Sequence, residues 1–503
     1  MREITKKPSD FEIPLSQKVV KGGFWMFGLR ITNQAFSLLR LLILARILAP
    51  NDFGLLGIAL LTMATLETFS QTGFHQALIQ KKDNIESYLN SAWTVLILRG
   101  LILFIILYLV APYAAIFFDA PEAILIIRVI GLSILFQAFT NIGVIYFQKE
   151  LEFKKQFIYQ FSGTLADFII AVSAVLILQN VWALVFGLLA GSFVRFVVSY
   201  FIHSYRPHFS LDLGKAKELF VFGKWVFGSS VLVFLVTNAD GIFVGKLLGA
   251  AALGLYQMAY RISNMPATEI THVISQVTFP AYSKLQDNIP KLREAYLKVL
   301  QVTAFLSFPI AGLIFVLAPD FTMMCLGEKW MPIVPAMQVL VFAGLARAIA
   351  ATTGPVFYAT GKPKIDTALQ ILRLFVLVVL LYPLTIKWGM VGASFAVFLS
   401  IFVSTIGFCS VCIKVTKCSI MDFTKMIVFP LINSIIMILA IIKLKTIIGT
   451  GIPEFITITC IGILMYIITS YLFDKLFDYK MQNFKEISLL FGGKISKISQ
   501  HKP

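Results

Sequence analysis

Five polar residues in the first long apolar stretch, Arg30, Asn33, Gln34, Ser37 and Arg40, recur at intervals of three and four. At 100° per residue that spacing gathers them on one face of a helix. The register returns further along. Glu67, Ser70, Gln71 and His75 share a side. Arg261, Asn264, Thr268, His272 and Ser275 form a second five-residue stripe, with Glu269 and Gln276 beside it. Asp366, Gln370 and Arg373 follow i, i+4, i+7, Thr237, Asn238 and Asp240 cluster, and Arg128, Asp167, Arg195 and Arg347 stand more alone. A charge near mid-bilayer costs about 2.5–3.5 kcal/mol on insertion scales, so such side chains face protein or water. The long stripes carry more arginine than acid, and a guanidinium fork donates two hydrogen bonds to one phosphate. The chemistry this suggests is capture of an anionic guest in a hydrated cavity. The plainer alternative is fastening between or within helices, for instance Arg40 with Glu67, or Asp366 with Arg373. Five-residue stripes favour the cavity, because joining two helices takes only one or two polar residues.

The elements that must position these residues are membrane helices. The chain is 58% hydrophobic and 14% charged over 503 residues, where a soluble protein carries about 25% charged residues. About 20 apolar residues cross a bilayer. Segments of that kind lie near 22–48, 52–76, 91–117, 122–147, 156–179, 181–203, 220–245, 252–280, 296–317, 333–360, 364–386, 389–414, 424–443 and 453–474. With the N-terminus in the cytoplasm, 27 Lys and Arg of tails and loops fall inside and five (Lys246, Lys329, Lys387, Lys443 and Lys445) outside. The positive-inside rule then puts both termini in the cytoplasm. The net charge of +17 is spread over every inner loop, which argues against nucleic acid as a partner. No loop is long enough to house soluble-enzyme chemistry. The first apolar segment is too long for a cleavable signal, so it is expected to stay as the first helix. Five cysteines, with Cys409 and Cys412 spaced C-x-x-C and no nearby His, read as packing residues rather than a disulfide framework or metal site.

The chain also matches itself. Shifted by 200 positions, Gly23, Trp25, Phe27 and Gly28 fall on Gly223, Trp225, Phe227 and Gly228. Leu48, Gly54, Leu55 and Ala59 fall on Leu248, Gly254, Leu255 and Ala259. A repeat that starts twice from the same side gives parallel copies about an axis along the membrane normal. The expected architecture is an all-α polytopic membrane protein of about 14 helices. It has a tail (1–21), an N-lobe of helices 1–6 (22–203), a linker (204–219), a C-lobe of helices 7–12 (220–414), two added helices (415–474) and a basic tail (475–503).

Several runs resemble the Wzx-type flippases of oligosaccharide-lipids, polysaccharide transporters of the multidrug/oligosaccharidyl-lipid/polysaccharide exporter superfamily. They are Ala-Arg-Ile-Leu-Ala-Pro-Asn-Asp-Phe-Gly-Leu ending at Leu55, Gln-Ala-Leu-Ile-Gln from Gln76, and Phe-Gln-Lys-Glu-Leu-Glu-Phe-Lys-Lys from Phe147. The second half adds Ala-Asp-Gly-Ile-Phe-Val-Gly-Lys-Leu-Leu-Gly from Ala239, Phe-Pro-Ala-Tyr-Ser-Lys-Leu-Gln-Asp from Phe279, Leu-Gly-Glu-Lys-Trp-Met-Pro from Leu326 and Ala-Thr-Gly-Lys-Pro from Ala359. The resemblance spans about residues 15 to 420 and implies two lobes around a cavity that rock between inward- and outward-facing states. It implies a substrate of oligosaccharide on polyprenyl pyrophosphate, moved from the cytoplasmic to the outer leaflet of the plasma membrane for exopolysaccharide, O-antigen or capsule. A polysaccharide polymerase and glycosyltransferases are the expected protein partners of a monomer. The matched runs sit at helix ends and inner loops and name no binding residues.

Site assignments therefore rest on the stripes. Arg30, Arg40, Arg261, Arg347 and Arg373 are the candidates for pyrophosphate; Asn33, Gln34, Gln71, Asn264 and His272 for sugar hydroxyls; Glu67, Asp240 and Glu269 for a coupling Na⁺ or H⁺. No other cofactor or metal is expected. An ion-coupled exporter of small drugs has the same architecture and would favour an aromatic cavity with a buried acid. A membrane-bound transferase should show paired acids or a His in a sizeable loop, and a scaffold would not need the stripes.

Overall fold

A computed structural model describes residues 15–81, 85–150, 152–449 and 451–477, and all regular structure among them is helical. The first half contributes α1 (Leu15–Ile47), α2 (Pro50–Phe69), α3 (Phe74–Gln80), α4 (Glu86–Phe117), α5 (Ala123–Ile130), α6 (Leu132–Ala138), α7 (Ile145–Lys149), α8 (Phe153–Leu178) and α9 (Trp182–Ile202). Then follow α10 (Leu213–Ser283), α11 (Ile289–Phe321), α12 (Val334–Ala351), α13 (Gly354–Ala359), α14 (Pro363–Thr416), α15 (Ile420–Ile448) and α16 (Ile452–Phe477). Ten helices among the described residues are long and apolar enough to cross a membrane, and one bent pair would add an eleventh. The protein is thus a multi-pass membrane protein. Of the expected terminal tails, residues 1–14 and 478–503 lie outside the described residues; α1 begins at Leu15, earlier than the expected 22.

Local chemistry marks the ends. The Asn288 side chain accepts from the Lys291 amide at 3.1 Å, with Pro290 just inside α11, and the Ser419 hydroxyl accepts from the Met421 amide at the start of α15. Side-chain oxygens there satisfy amides that the helix cannot. The expected single segment 122–147 is instead a helix pair bent by 71° between Ala138 and Ile142. Asn141 causes the break: its side chain accepts from the Gly143 amide at 2.9 Å and donates to the Tyr205 carbonyl at 2.6 Å, competing with the helical ladder. The backbone also leaves helical geometry inside α10 at Gly249 (φ 84°) and inside α14 at Gly389 (φ 57°), at or beside the expected connections. Interior prolines at 112, 309, 383 and 430 are tolerated because neighbouring helices satisfy the freed carbonyls.

The chain divides into two compact units. The first holds residues 1–259 with 325–333 and 377–396. In it α1 packs on α8 through Phe36, edge-on to Phe161 and Phe168. The segment 325–333 docks on the end of α1: Trp330 Nε1 donates to the Ala45 carbonyl at 2.8 Å, Lys329 Nζ to that of Arg46 at 3.0 Å, and the indole meets Phe53. Within the same unit, the two glycines that the 200-residue shift superposes meet each other's segment. A β-carbon on Gly54 would overlap the Ala250 carbonyl, and one on Gly254 would overlap the Pro50 carbonyl. Only glycine permits so close a backbone crossing.

The second unit holds residues 260–324, 334–376 and 397–503. Its buried core gathers Tyr282, Tyr296, Phe308, Phe357 and Phe408 with Cys409 and Cys412. The added helices are tied to α11: Lys445 pairs with Asp320, and Tyr466 Oη donates to the Phe305 carbonyl at 2.9 Å. Asn433 of α15 donates to the Ser470 hydroxyl of α16 at 3.0 Å.

Candidate functional site

The second unit contains a cavity of about 570 Å³. Four helices build its wall. Thr271 and Phe279 come from α10, Arg347 from α12, and Gly354, Pro355 and Tyr358 from α13. The first half of α14 supplies Asp366, Gln370 and Arg373, and its second half Ser404, Thr405 and Phe408. The i, i+4, i+7 spacing on α14 aims three polar side chains at one volume, as helical geometry requires.

Arg347 is held in place. Its Nη2 donates to the Tyr260 hydroxyl at 2.7 Å, and the guanidinium lies 5.6 Å from the Tyr260 ring centroid, within cation–π range. Tyr358 Oη donates to Asp366 at 3.2 Å, and its ring stands edge-on to Phe279. Thr405 bridges helices, its hydroxyl donating to the carbonyls of Ala346 and Ile401 at 3.2 and 2.8 Å. The buried Thr271 hydroxyl oxygen has no hydrogen-bond partner among the described residues. Two guanidinium groups, a carboxamide and hydroxyls around one space can bind an oxyanion and the hydroxyls next to it. A second cavity, about 820 Å³, shares Thr405 with the first and is otherwise mostly apolar, with Phe308, Phe342, Phe398, Phe402 and Phe423 in its wall.

The other expected residues are distributed elsewhere. Arg40 pairs with Asp167 of α8 at 3.1 Å and donates to the Leu184 carbonyl at 3.4 Å; its ion-pair partner is not Glu67. Arg30, Asn33 and Gln34 are half-buried on the same helix, α1. Glu67 and Gln71, also half-buried, flank the end of α2, where Arg99 donates to the carbonyls of Glu67 and Ser70 at 3.0 and 2.8 Å. Asp240 is buried and accepts from Tyr256 Oη at 2.6 Å. On α10, Arg261 is exposed and Glu269 half-buried. Asn264 is buried and donates to the Tyr260 carbonyl at 3.0 Å. The His272 side chain lies outside the described residues.

Of the expected anion contacts, the cavity brings together Arg347 and Arg373. Sequence reasoning missed Tyr260, Thr271, Tyr358, Ser404 and Thr405, and it missed Arg99. The arginine could have been found as a charge in an apolar run. The hydroxyls carry no such signal, because Ser and Thr in membrane helices commonly satisfy themselves on the preceding turn.

The sequence pattern of the polysaccharide biosynthesis protein family matches residues 43–335. The lipopolysaccharide biosynthesis protein WzxC of Escherichia coli is 27% identical over 72% of this chain and 74% of its own. The teichuronic acid biosynthesis protein TuaB of Bacillus subtilis is 30% identical over 58% of this chain and 60% of its own. Among solved structures, the inward closed conformation of the lipid II flippase MurJ superposes with a TM-score of 0.74 at 17% identity, over 91% of this chain and 99% of that one. The chain therefore shares the fold of that flippase and belongs to the polysaccharide biosynthesis protein family, in agreement with its Wzx-type resemblance.

Proposed function

We propose that this protein is a flippase. It turns a polyprenyl-pyrophosphate-linked oligosaccharide from the cytoplasmic to the outer leaflet of the plasma membrane, by alternating access, for surface polysaccharide assembly. The observation that carries this reading is Arg347 and Arg373 on the wall of one cavity inside a bundle of membrane-length helices. A pyrophosphate cannot cross hydrocarbon unaided, since burying an unpaired ion is prohibitive; paired guanidinium groups remove that obstacle. Gln370, Thr271, Ser404 and Asn264 are the groups proposed for sugar hydroxyls. The apolar cavity that shares Thr405 offers room for the start of the prenyl chain. The similarity to WzxC, a lipopolysaccharide biosynthesis protein, to TuaB, a teichuronic acid biosynthesis protein, and to the lipid II flippase MurJ supports the same substrate class.

The reading includes two parallel lobes with both termini cytoplasmic. Taking each half of the two broken helices, the bent pair and α1 as separate crossings gives the fourteen that composition suggests. Asp240 is the proposed coupling acid for Na⁺ or H⁺, since it is the most buried of the three candidates. No bond is made or broken in this cycle, so the protein acts as a transporter and not an enzyme, as a monomer that hands its cargo to a polymerase. The test is to delete the gene and follow lipid-linked oligosaccharide. It should accumulate facing the cytoplasm, wild-type protein should clear it, and Arg347→Ala with Arg373→Ala should not. Normal surface polysaccharide in the deletion strain would overturn the reading.

A further inference from the structure

The polar cavity is not uniformly cationic, and the order of its charges along α14 carries information. Arg373 and Asp366 lie on one helix face, seven residues apart. At 1.5 Å per residue their Cα atoms are separated by about 10 Å along the axis, with Gln370 between them. Asp366 sits in the first turn of α14, next to the exposed Pro363 and Lys364. Its hydrogen-bond partner among the described residues is the Tyr358 phenol, not a cation. Two exposed aromatic rings, Tyr358 and Phe279, stand edge-on at the same end with centroids 6.5 Å apart. Arg347 shares the cavity wall with Arg373 and is held by Tyr260.

From this order we propose that Asp366 is a specificity-determining residue that selects the second sugar of the substrate. The inference rests on the flippase reading above. With the pyrophosphate held by Arg347 and Arg373, about 10 Å of helix rise accommodates roughly two pyranose rings. The first ring lies at Gln370 and the second at Asp366. A carboxylate accepts hydrogen bonds from sugar hydroxyls or an amino group, and aromatic rings beside it cover the apolar C–H face of a pyranose. A uronic acid in that position places a second carboxylate against Asp366, and like charges brought together at a binding site are penalised. The second sugar is therefore neutral or amino-bearing, and acidic sugars, where present, lie further out.

The test uses full-length protein in nanodiscs and synthetic polyprenyl-pyrophosphate disaccharides that share N-acetylglucosamine as the first sugar. The second sugar is glucose, glucosamine or glucuronic acid, and the readout is equilibrium binding. Wild type should bind the glucuronyl lipid about tenfold more weakly than the glucosyl lipid, a penalty of about 1.4 kcal/mol. Asp366→Asn should bring the two within about twofold of each other. Equal binding of the glucosyl and glucuronyl lipids by wild type overturns the inference without any variant and leaves the flippase reading standing. Discrimination that survives in Asp366→Asn also overturns it. Binding of none of the three lipids by wild type overturns the flippase reading, and the inference with it.

Discussion

Two arginine-bearing stripes look alike on paper and differ in the molecule. Arg40 ends a five-residue stripe on α1, and Arg373 ends a three-residue stripe on α14. The helix facing α1 brings Asp167 to 3.1 Å, with the Leu184 carbonyl behind it, so Arg40 fastens three helices together. The helices facing Arg373 bring a second arginine, hydroxyls and open volume. The lesson is that spacing on one helix decides which side chains share a face, whereas the opposite wall decides whether that face is a fastening or a binding surface. An acid on the opposing helix closes the first; the wall of the second carries Asp366, on the same helix as Arg373 and two turns away.

The largest effect that sharpens this contrast is expected from Arg347→Ala combined with Arg373→Ala. Charged hydrogen bonds contribute about 1.5–3 kcal/mol each, so losing both arginines should weaken binding of a polyprenyl pyrophosphate by about a thousandfold. Next comes Asp167→Ala. Removing one partner of a buried pair costs about 3–5 kcal/mol, and about 3 kcal/mol is expected here because both side chains are about a fifth exposed. Thermal unfolding in detergent should show the loss, Arg40→Leu with Asp167→Leu should recover much of it, and binding per folded molecule should stay constant. If Asp167→Ala instead changed affinity and left stability alone, the contrast would collapse. A smaller effect is expected from Tyr260→Phe, which removes one hydrogen bond from Arg347 and should cost about 1 kcal/mol, read as roughly fivefold weaker binding.

The smallest effect is a control outside both stripes. Lys81 Nζ donates to Glu218 at 2.5 Å, and Tyr88 Oη donates to the same carboxylate at 2.8 Å. The Lys81 hydrogen bond, then that from Tyr88, holds the Glu218 carboxyl below its ordinary range. A depressed acid stabilises the fold above its unfolded value, and that contribution fades as pH falls through the folded one. Glu218→Gln should therefore lower the melting temperature slightly at neutral pH and not at all in acid. The pair is solvent-exposed, so added salt should erase the difference.

Much of the fold was legible because a bilayer enforces it: an apolar run must be long enough, and polar residues interrupt it at the ends. The breaks at Gly249 and Gly389 fall at or beside those interruptions. The bend at Asn141 was not legible from hydropathy, since it comes from a side chain taking an amide that the helix would otherwise use. The cavity was half legible. Asp366, Gln370 and Arg373 declare themselves by register on one helix. Arg347 stood out only as a lone charge, because its partner Tyr260 lies in a different helix and nothing in α12 announces it. Arg40 was readable as buried and polar, but its partner Asp167, more than a hundred residues away, depends on how α1 meets α8.

The crossing of Gly54 and Gly254 reaches beyond mechanics. Pro50 and Ala250, whose carbonyls those glycines face, are also 200 positions apart, so each copy offers the other the same carbonyl and the same notch. Such reciprocity is what an isologous dimer of identical subunits displays. The seam has the form of an ancestral homodimer fused into one gene, and it binds the two copies to a shared fate: neither can acquire a side chain at that point without entering the other's backbone.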